Sequence, residues 1–302
     1  MLNYNNREPL SRRCPNTSPA DLHVRLARWN KRRLTPGMPN QDWREDLEEE
    51  RQMRELEGAW VERLREEVEA RAALAPTDVE GFTRWFVDLK SNGPGQGDPL
   101  FAWLARDASL DEMRWFLTQE AAGEAGFDDL VALAQVKLPT EAKLELARNY
   151  WDEMGRGNVK GMHGPMLEAA VRALDLRPCI DQTVAPSLAL ANTLTALATT
   201  RRYAWHAVGA LGVVELTAPT RVSLVAEGLK RLDQAPVVRK YFELHAALDI
   251  KHADDWIANC LRPLVADQPK VARFLAEGAL IRLICGLRCF EVYRSNFGLG
   301  TA

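Results

Sequence analysis

The sequence lacks the features that mark several common classes of protein. Its 42 acidic and 39 basic residues give a net charge of −3, without the basic surplus that binding to a nucleic-acid backbone needs. The longest apolar run, around 204–216, is interrupted by His206 and Glu215 and is shorter than the roughly 20 residues of a membrane span. A secretory signal would begin with basic residues followed by an apolar core, and we find no such pattern. We therefore expect a cytoplasmic protein that binds neither nucleic acid nor membrane.

Cysteine is also scarce, which bears on compartment and on metal chemistry. The five cysteines are scattered and form no C-x-x-C pair, as is typical of reduced thiols in a cytosol. A helical solenoid would show self-similarity with a period of 20–50 residues, and the sequence has none. A structural zinc site built on cysteines and a repeat array are thus both disfavoured.

Strand patterns are missing too, and nearly every segment has apolar residues at helical spacing. Pro219 and Pro263 are expected to break the chain between neighbouring helices, and 91–99 is the clearest loop. We predict an all-α fold, with an N-terminal helical extension over 1–98 packed on a helical bundle over 99–302. The predicted helices cover 18–33, 40–75 (or 42–75), 77–90, 100–106, 109–121, 126–136, 140–154, 165–174, 184–198, 201–216, 219–232, 236–258 and 267–290.

Histidine occurs only five times, yet two histidines lie in one short segment, His245-Ala-Ala-Leu-Asp249-Ile-Lys-His252. At about 100° per residue, Asp249 lies roughly 40° from His245, and His252 lies roughly 20° to the other side. The three side chains therefore share one face of a helix and can reach one metal ion. The alternative is that they are ordinary surface or half-buried polar groups.

Four further residues in the bundle region have side chains that bind metals. Glu215 interrupts an apolar helix, where an unpaired charge costs several kcal/mol unless it is paired, protonated or bound to a cation. Glu153 and His163 are separated by a glycine-rich segment that can bring them to one centre. Glu120 lies among apolar and aromatic residues, with Glu124 as its substitute one turn later. His206 is predicted to face away from Glu215.

The donor set is rich in oxygen and imidazole and contains no cysteine, which fits iron or manganese better than structural zinc. Seven candidates are too many for one ion, whereas two ions roughly 3.5–4 Å apart would use them all. The predicted metal ligands are Glu120, Glu153, His163, Glu215, His245, Asp249 and His252.

Over roughly 100–290 the chain resembles the haem-oxygenase-like diiron oxidases and oxygenases, also called iron-containing redox enzymes. The resemblance rests on the order of these ligands, on the interval from Glu215 to His245 and on the terminal H-x-x-x-D-x-x-H. It implies two iron ions per chain, no haem, and reduction of dioxygen to oxidise a small organic substrate. It also implies that His163, Glu215 and His252 hold one iron and that Glu120, His245 and Asp249 hold the other.

Glu153 matches the additional carboxylate of the N-oxygenating branch of that family, where it binds iron when the iron is oxidised. The resemblance therefore favours N-oxygenation of a small amine or amino acid in a specialised biosynthetic pathway, with Glu153 acting in catalysis. The alternative is oxidative C–C cleavage, desaturation or cyclisation of an amino or fatty acid. No flavin or iron–sulfur motif is present, so electrons are expected from an external donor. Association as a homodimer stays open.

Two other classes of protein also stay open. One is a metal-free helical enzyme of the same general fold, such as a thiaminase-like relative, which would not need the complete set of ligands. The other is a non-catalytic interaction protein in which the charged helix over 40–75 binds a partner and the histidines are structural. Measuring bound metal separates both from the diiron hypothesis.

Overall fold

Helices form the regular structure of this protein. The computed structural model describes residues 19–39, 43–123 and 125–300, and in these ranges it contains α-helices but no β-sheet. The predicted all-α bundle is thus confirmed. The α-helices are α1 (Pro19–Leu34), α2 (Trp43–Ala72), α3 (Val79–Asn92), α4 (Pro99–Arg106), α5 (Leu110–Gly123), α6 (Phe127–Ala134), α7 (Thr140–Glu153), α8 (His163–Ala173), α9 (Ala185–Thr199), α10 (Ala204–Arg231), α11 (Pro236–Trp256), α12 (Arg262–Asp267) and α13 (Val271–Asn296).

Local signals explain where several of these helices begin. The Asp78 carboxylate accepts a hydrogen bond from the backbone of Gly81 at 2.7 Å and caps α3. Asp98 caps α4 in the same way, with Pro99 in the first turn, where its missing N–H has no partner to lose. The predicted helix starts at 18 and at 40 or 42 lie outside the described residues.

Proline does not break the chain where the sequence predicts it. Helix α10 runs continuously through Pro219, although proline in a helix interior removes one hydrogen bond at a cost of about 3 kcal/mol. The predicted break there is wrong, because packing of the buried helix against α11 and α13 holds it together. The break at Pro263 is wrong as well. The chain continues from α11 through a π-helical segment, Ile257–Leu261, and Pro263 falls in the first turn of α12, where it is tolerated.

Helix α10 lies at the centre of the fold, packed most extensively on α11 and α13. A Cβ at Gly209 would lie 2.0 Å from the carbonyl oxygen of Leu275, and one at Gly278 would lie 2.0 Å from that of His206. These glycines therefore allow α10 and α13 to pack backbone against backbone. By length and mean hydropathy the segment Arg201–Arg231 is apolar enough to cross a membrane, but 61% of its most apolar window is buried, as in the core helix of a soluble protein.

The N-terminal helices share the main core of the bundle. Trp60 and Leu64 of α2 and Phe86 of α3 belong to the same buried cluster as Leu211 of α10 and Leu275 of α13. Helix α1 packs beside α9. The division of the chain at 98 and 99 stays a prediction.

Candidate metal centre

The structure brings six of the seven predicted ligands together at the centre of the bundle. Four helices supply them: α7 at its last residue, α8 at its first, α10 at its middle and α11 from three positions. Their donor atoms form two groups in which all atoms lie within 4.8 Å of one another; one is Glu153, His163 and His245, and the other is Glu153, Glu215 and His252. Asp249 adjoins the second group, 3.9 Å from His252 Nδ1. We call these six residues the carboxylate–histidine cluster.

A closed glycine-rich loop brings Glu153 and His163 side by side. An isolated antiparallel bridge joins Met154 to Met162, so the chain leaves α7 and returns to α8 at almost the same point. Gly155 has φ +59°, and a Cβ there would lie only 2.3 Å from the carbonyl carbon of Gly161. Glycine is therefore required for the close approach that brings the ends of the two helices together.

Hydrogen bonds outside the cluster orient two of its histidines. His245 Nδ1 lies 2.7 Å from the carbonyl oxygen of Tyr241, which can only accept, so this nitrogen donates and Nε2 keeps the lone pair. His252 Nε2 lies 3.2 Å from Asp152 Oδ2 and donates to that carboxylate, which leaves the lone pair on Nδ1. Metal-binding histidines usually have such an outer partner. In their neutral forms, both rings therefore present a free lone pair to the interior of the cluster.

Several polar atoms inside the cluster have no hydrogen-bond partner. His163 Nδ1 and Glu153 Oε2 are 2.6 Å apart, but their geometry does not form a hydrogen bond, and His163 Nδ1 is unsatisfied. Asp249 Oδ1 and His252 Nδ1 are buried and unsatisfied as well. Buried atoms of this kind normally have a partner. Their convergence fits a cation that all of them contact, so the residues present suit the metal that the sequence predicts.

The electrostatics of the cluster point the same way. In the described part of the chain, no lysine or arginine lies within ion-pair distance of Glu153, Glu215 or Asp249. Burial, with the charges of Glu215 and Glu153, raises the pKa of Asp249 to about 10. Burial lowers the pKa of His252, but contacts with Glu215 and Asp152 outweigh it and raise that pKa to about 9. A divalent cation would relieve the repulsion among the three carboxylates.

Glu120 lies apart from the cluster, although it lines the same cavity. Its carboxylate accepts a hydrogen bond from the Tyr293 hydroxyl at 2.8 Å, and its side chain is accessible through the cavity. Burial within the fold raises the pKa of Glu120, against the hydrogen bond from Tyr293 and the charges of Arg282 and Arg221, which lower it. Its role as a ligand stays a prediction. The substitute, Glu124, lies outside the described residues.

The cluster is grouped differently from the sets that the resemblance implies. His163 pairs with His245, whose ring centroid lies 4.5 Å away, whereas the resemblance groups it with His252. Glu153 belongs to both close groups and lies between them. The structure thus gives Glu153 the central position that would suit a bridging carboxylate.

Several residues that shape the site were not predicted. Asn149 donates to Glu215 Oε1 at 2.6 Å, and Asp152 orients His252. Asn149 and Glu153 are four residues apart on α7, so helical spacing from Glu153 would have pointed to Asn149. Arg221 and Arg282 line the cavity beside Glu120, and no local pattern marks them.

A cavity of about 180 Å³ opens beside the cluster and is lined by Glu153, Glu215, His245 and Asp249. Most of its remaining wall is apolar, including Phe101, Phe116, Phe242, Phe290 and Val225. A largely apolar pocket with a few polar groups is the usual form of a small-molecule site. A small organic molecule would therefore lie directly against the predicted metal ligands.

Comparison with known proteins agrees with this geometry. Two crystal structures of a CadD-like protein of unknown function from Nostoc punctiforme PCC 73102, at 2.00 and 1.35 Å resolution, share the fold. Their TM-scores are 0.56 and 0.55 at 17% and 16% identity, and the alignments cover 72% of this chain and 97% and 95% of theirs. No curated protein matches the sequence. Residues 114–286, more than half of the chain, match the family described as iron-containing redox enzyme. The protein, with its buried cluster of carboxylates and histidines, belongs to this family of iron-containing redox enzymes and is an oxidoreductase.

Proposed function

We propose that the protein is a non-haem diiron oxygenase that uses dioxygen to oxidise a small amine or amino acid, with oxygen transfer to nitrogen as its reaction. The observation that carries the proposal is the position of Glu153, which belongs to both close groups of donor atoms. Glu153 is also the residue that matches the additional carboxylate of the N-oxygenating branch. A carboxylate shared between two sets of ligands suits two ions better than one.

Residues of this chain would hold the two ions and prepare the site. His163 and His245 would bind on one side of Glu153, and Glu215 and His252 on the other. The chemistry that a pair of ferrous ions supplies when bound is the reduction of dioxygen. Asp152 and the Tyr241 carbonyl hold the His252 and His245 rings in fixed orientations.

The protein also controls what reaches the site. Phe116, Phe242 and Phe290 form part of the cavity wall and keep bulk water from the substrate. A substrate bound in the cavity would lie against Glu153 and Asp249 at the edge of the cluster. Electrons for repeated turnover come from a donor outside the chain.

Iron loading is the first test of this proposal. Anaerobic reconstitution of the full chain with Fe(II), followed by elemental analysis, should give close to two iron ions per chain. A folded protein that reproducibly retains no iron would contradict the diiron assignment. A value near one would contradict the assignment of two ions.

The second test addresses the chemistry. Reduced, iron-loaded protein is mixed with isotope-labelled dioxygen and a panel of amines and amino acids, and the products are identified by mass spectrometry. Label on nitrogen supports the proposal, whereas fragmented, desaturated or cyclised carbon products would support the alternative reaction. Glu153→Ala should keep iron through the remaining ligands. The transient visible absorption that follows mixing with dioxygen should decay at a different rate in this variant, and the yield of N-oxygenated product should be lower. If its decay and its products equal those of the wild type, Glu153 is only the end of a helix.

A further inference from the structure

The cavity has a second polar region that the metal ligands do not explain. Arg221 of α10 and Arg282 of α13 line it, together with Glu120. Arg221 lies six residues after Glu215 on the same helix, which separates their backbones by about 9 Å along the helix axis. One cavity thus holds both the carboxylates of the cluster and two guanidinium groups.

The negative groups around the two arginines do not neutralise both of their positive charges. Among the described residues, neither forms an ion pair within contact distance, and Arg282 Nε is buried without a hydrogen-bond partner. Glu120 acts on both only at longer range, and its carboxylate already accepts a hydrogen bond from Tyr293. Burial and the charge of Arg282 lower the pKa of Arg221 to about 9. Two guanidinium groups therefore share one carboxyl group, which leaves at least one positive charge without a counter-ion.

The backbone makes room for one of these guanidinium groups. A Cβ at Gly286, one turn after Arg282 on α13, would lie 2.6 Å from Arg282 Nη1. Glycine inside a helix costs about 0.5–1 kcal/mol relative to alanine. At this position it lets the Arg282 guanidinium lie against the helix beside the cavity.

We propose that Arg221 and Arg282 bind the carboxylate of the substrate, so that the substrate is a small carboxylic acid whose oxidised atom lies several bonds from that carboxylate. The proposal rests on the proposed function for the position of the reacting atom, which is the carboxylate–histidine cluster. Paired guanidinium groups match the two oxygens of a carboxylate. Ala218 and Val222 on α10 and Phe242 on α11 provide apolar wall for the carbon chain.

This inference narrows the substrate class. An amine without a carboxylate leaves the two arginines uncompensated. An amino acid fits when its reacting nitrogen is at the far end of the side chain. Its amine then faces the acidic residues Glu153 and Asp249, while its carboxylate faces Arg221 and Arg282.

Calorimetric titration with simple probes tests the inference without turnover. Hexanoate, hexanamide and 6-aminohexanoate are titrated into the full chain, both metal-free and loaded with Fe(II) under anaerobic conditions. Both forms of the wild type should bind hexanoate and 6-aminohexanoate more tightly than hexanamide. Arg221→Gln and Arg282→Gln should each weaken hexanoate binding roughly 10- to 100-fold, as expected when a charged hydrogen-bond partner is lost. Equal affinity for hexanoate and hexanamide would overturn the inference.

Two variants serve as controls for charge and position. Arg288→Gln removes an arginine from the same helix that pairs with Glu67 outside the cavity, and it should leave hexanoate binding unchanged. Gly286→Ala keeps both charges but moves the Arg282 guanidinium, and it should weaken hexanoate binding with little effect on the amide. If Gly286→Ala and Arg282→Lys both bind hexanoate as the wild type does, the paired geometry is not used, and the inference fails.

Separate measurements distinguish this inference from the proposed function. Iron content and dioxygen uptake report on the cluster, whereas probe affinity in the metal-free protein reports on the arginines. Protein that binds two iron ions and oxidises simple amines, but does not prefer hexanoate, would overturn the substrate class alone. Protein that prefers hexanoate through Arg282, but holds no iron, would overturn the diiron function alone.

Discussion

Two groups of polar residues, each containing a buried carboxylate and a buried histidine, are built differently. In the first, Glu277 of α13 accepts hydrogen bonds from His206 at 2.9 Å, Arg65 at 2.8 Å and Arg273 at 3.0 Å. Burial alone raises the pKa of Glu277, but these donors outweigh it and lower the pKa to about 2. We call these four residues the Glu277 cluster. Its single carboxylate has its own positive partners.

The carboxylate–histidine cluster has the opposite balance. Its three carboxylates have no arginine or lysine within ion-pair distance among the described residues, and Asp249 Oδ1 is buried without a hydrogen-bond partner. The pKa of Asp249 accordingly rises, whereas that of Glu277 falls. The comparison shows that burial of polar residues does not identify a metal site by itself. What identifies it is a surplus of negative groups whose counter-ion the protein does not provide.

The largest expected effect separates the two clusters by stability. In metal-free protein, Glu277→Ala should lower the free energy of unfolding by about 3 kcal/mol, because the buried His206 loses its hydrogen-bond acceptor and Arg65 and Arg273 each lose a charged partner. Asp249→Asn should change it by less than about 1 kcal/mol, because the raised pKa of Asp249 already keeps that side chain protonated near neutral pH. Urea unfolding of both variants measures this difference. Equal losses in the two variants would end the contrast between the clusters.

Iron affinity should depend on the carboxylate–histidine cluster and not on the Glu277 cluster. His252→Ala removes a side chain of the carboxylate–histidine cluster and should weaken Fe(II) binding by more than about 100-fold, beyond the usual effect of losing an outer partner. His206→Ala is the matched control, because His206 is equally buried but bonds to Glu277. Anaerobic competition with a coloured chelator measures both affinities. If His206→Ala lost iron as His252→Ala does, the assignment of the site would be wrong.

A smaller effect should come from the outer partner of His252. Asp152→Ala removes the carboxylate that accepts from His252 Nε2 and should weaken Fe(II) binding about 10- to 100-fold. Arg156→Gln is the control, since Arg156 contacts the other oxygen of Asp152 on the exposed side. Fe(II) affinity that is equal in wild type and Asp152→Ala would show that Asp152 does not orient the ring.

A further effect of the Glu277 cluster appears only in acid. The pKa of Glu277 falls from an ordinary 4.5 to about 2 in the folded protein, so the unfolded chain takes up this proton first as the pH drops. The stabilisation is complete above about pH 4.5 and is lost progressively towards pH 2. The difference in urea midpoint between the wild type and Glu277→Gln should shrink as the pH falls through this window. A constant difference would mean that the pKa of Glu277 is not lowered by folding.

Much of the helical framework and part of the site could be predicted from the sequence. The face shared by His245, Asp249 and His252 depends only on helical geometry within two turns, and the structure keeps these residues together on α11. Glu215 could be singled out because a charge in an apolar helix needs a partner. His206 was expected to face away from Glu215, and it bonds to Glu277 instead. Each of these conclusions needs only local spacing and the cost of burying charge.

Other features depend on parts of the chain that are distant in sequence. The continuous path of α10 through Pro219 depends on its packing between α11 and α13, which outweighs a local rule. The pairing of His163 with His245 needs both the closed loop after α7 and the position of α11. Glu120 bonds to Tyr293, 173 residues away, so its orientation has no local signal.

The sequence by itself therefore determined the helical class, the supply of carboxylate and imidazole groups, and the one face on which three of them lie. The tertiary structure alone decided that Glu153 belongs to two groups of donor atoms and that Arg221 and Arg282 line the same cavity. The physical reason is range. The 3.6-residue helical repeat fixes side-chain directions over a few turns, whereas the distance between two helices is set by how their surfaces pack.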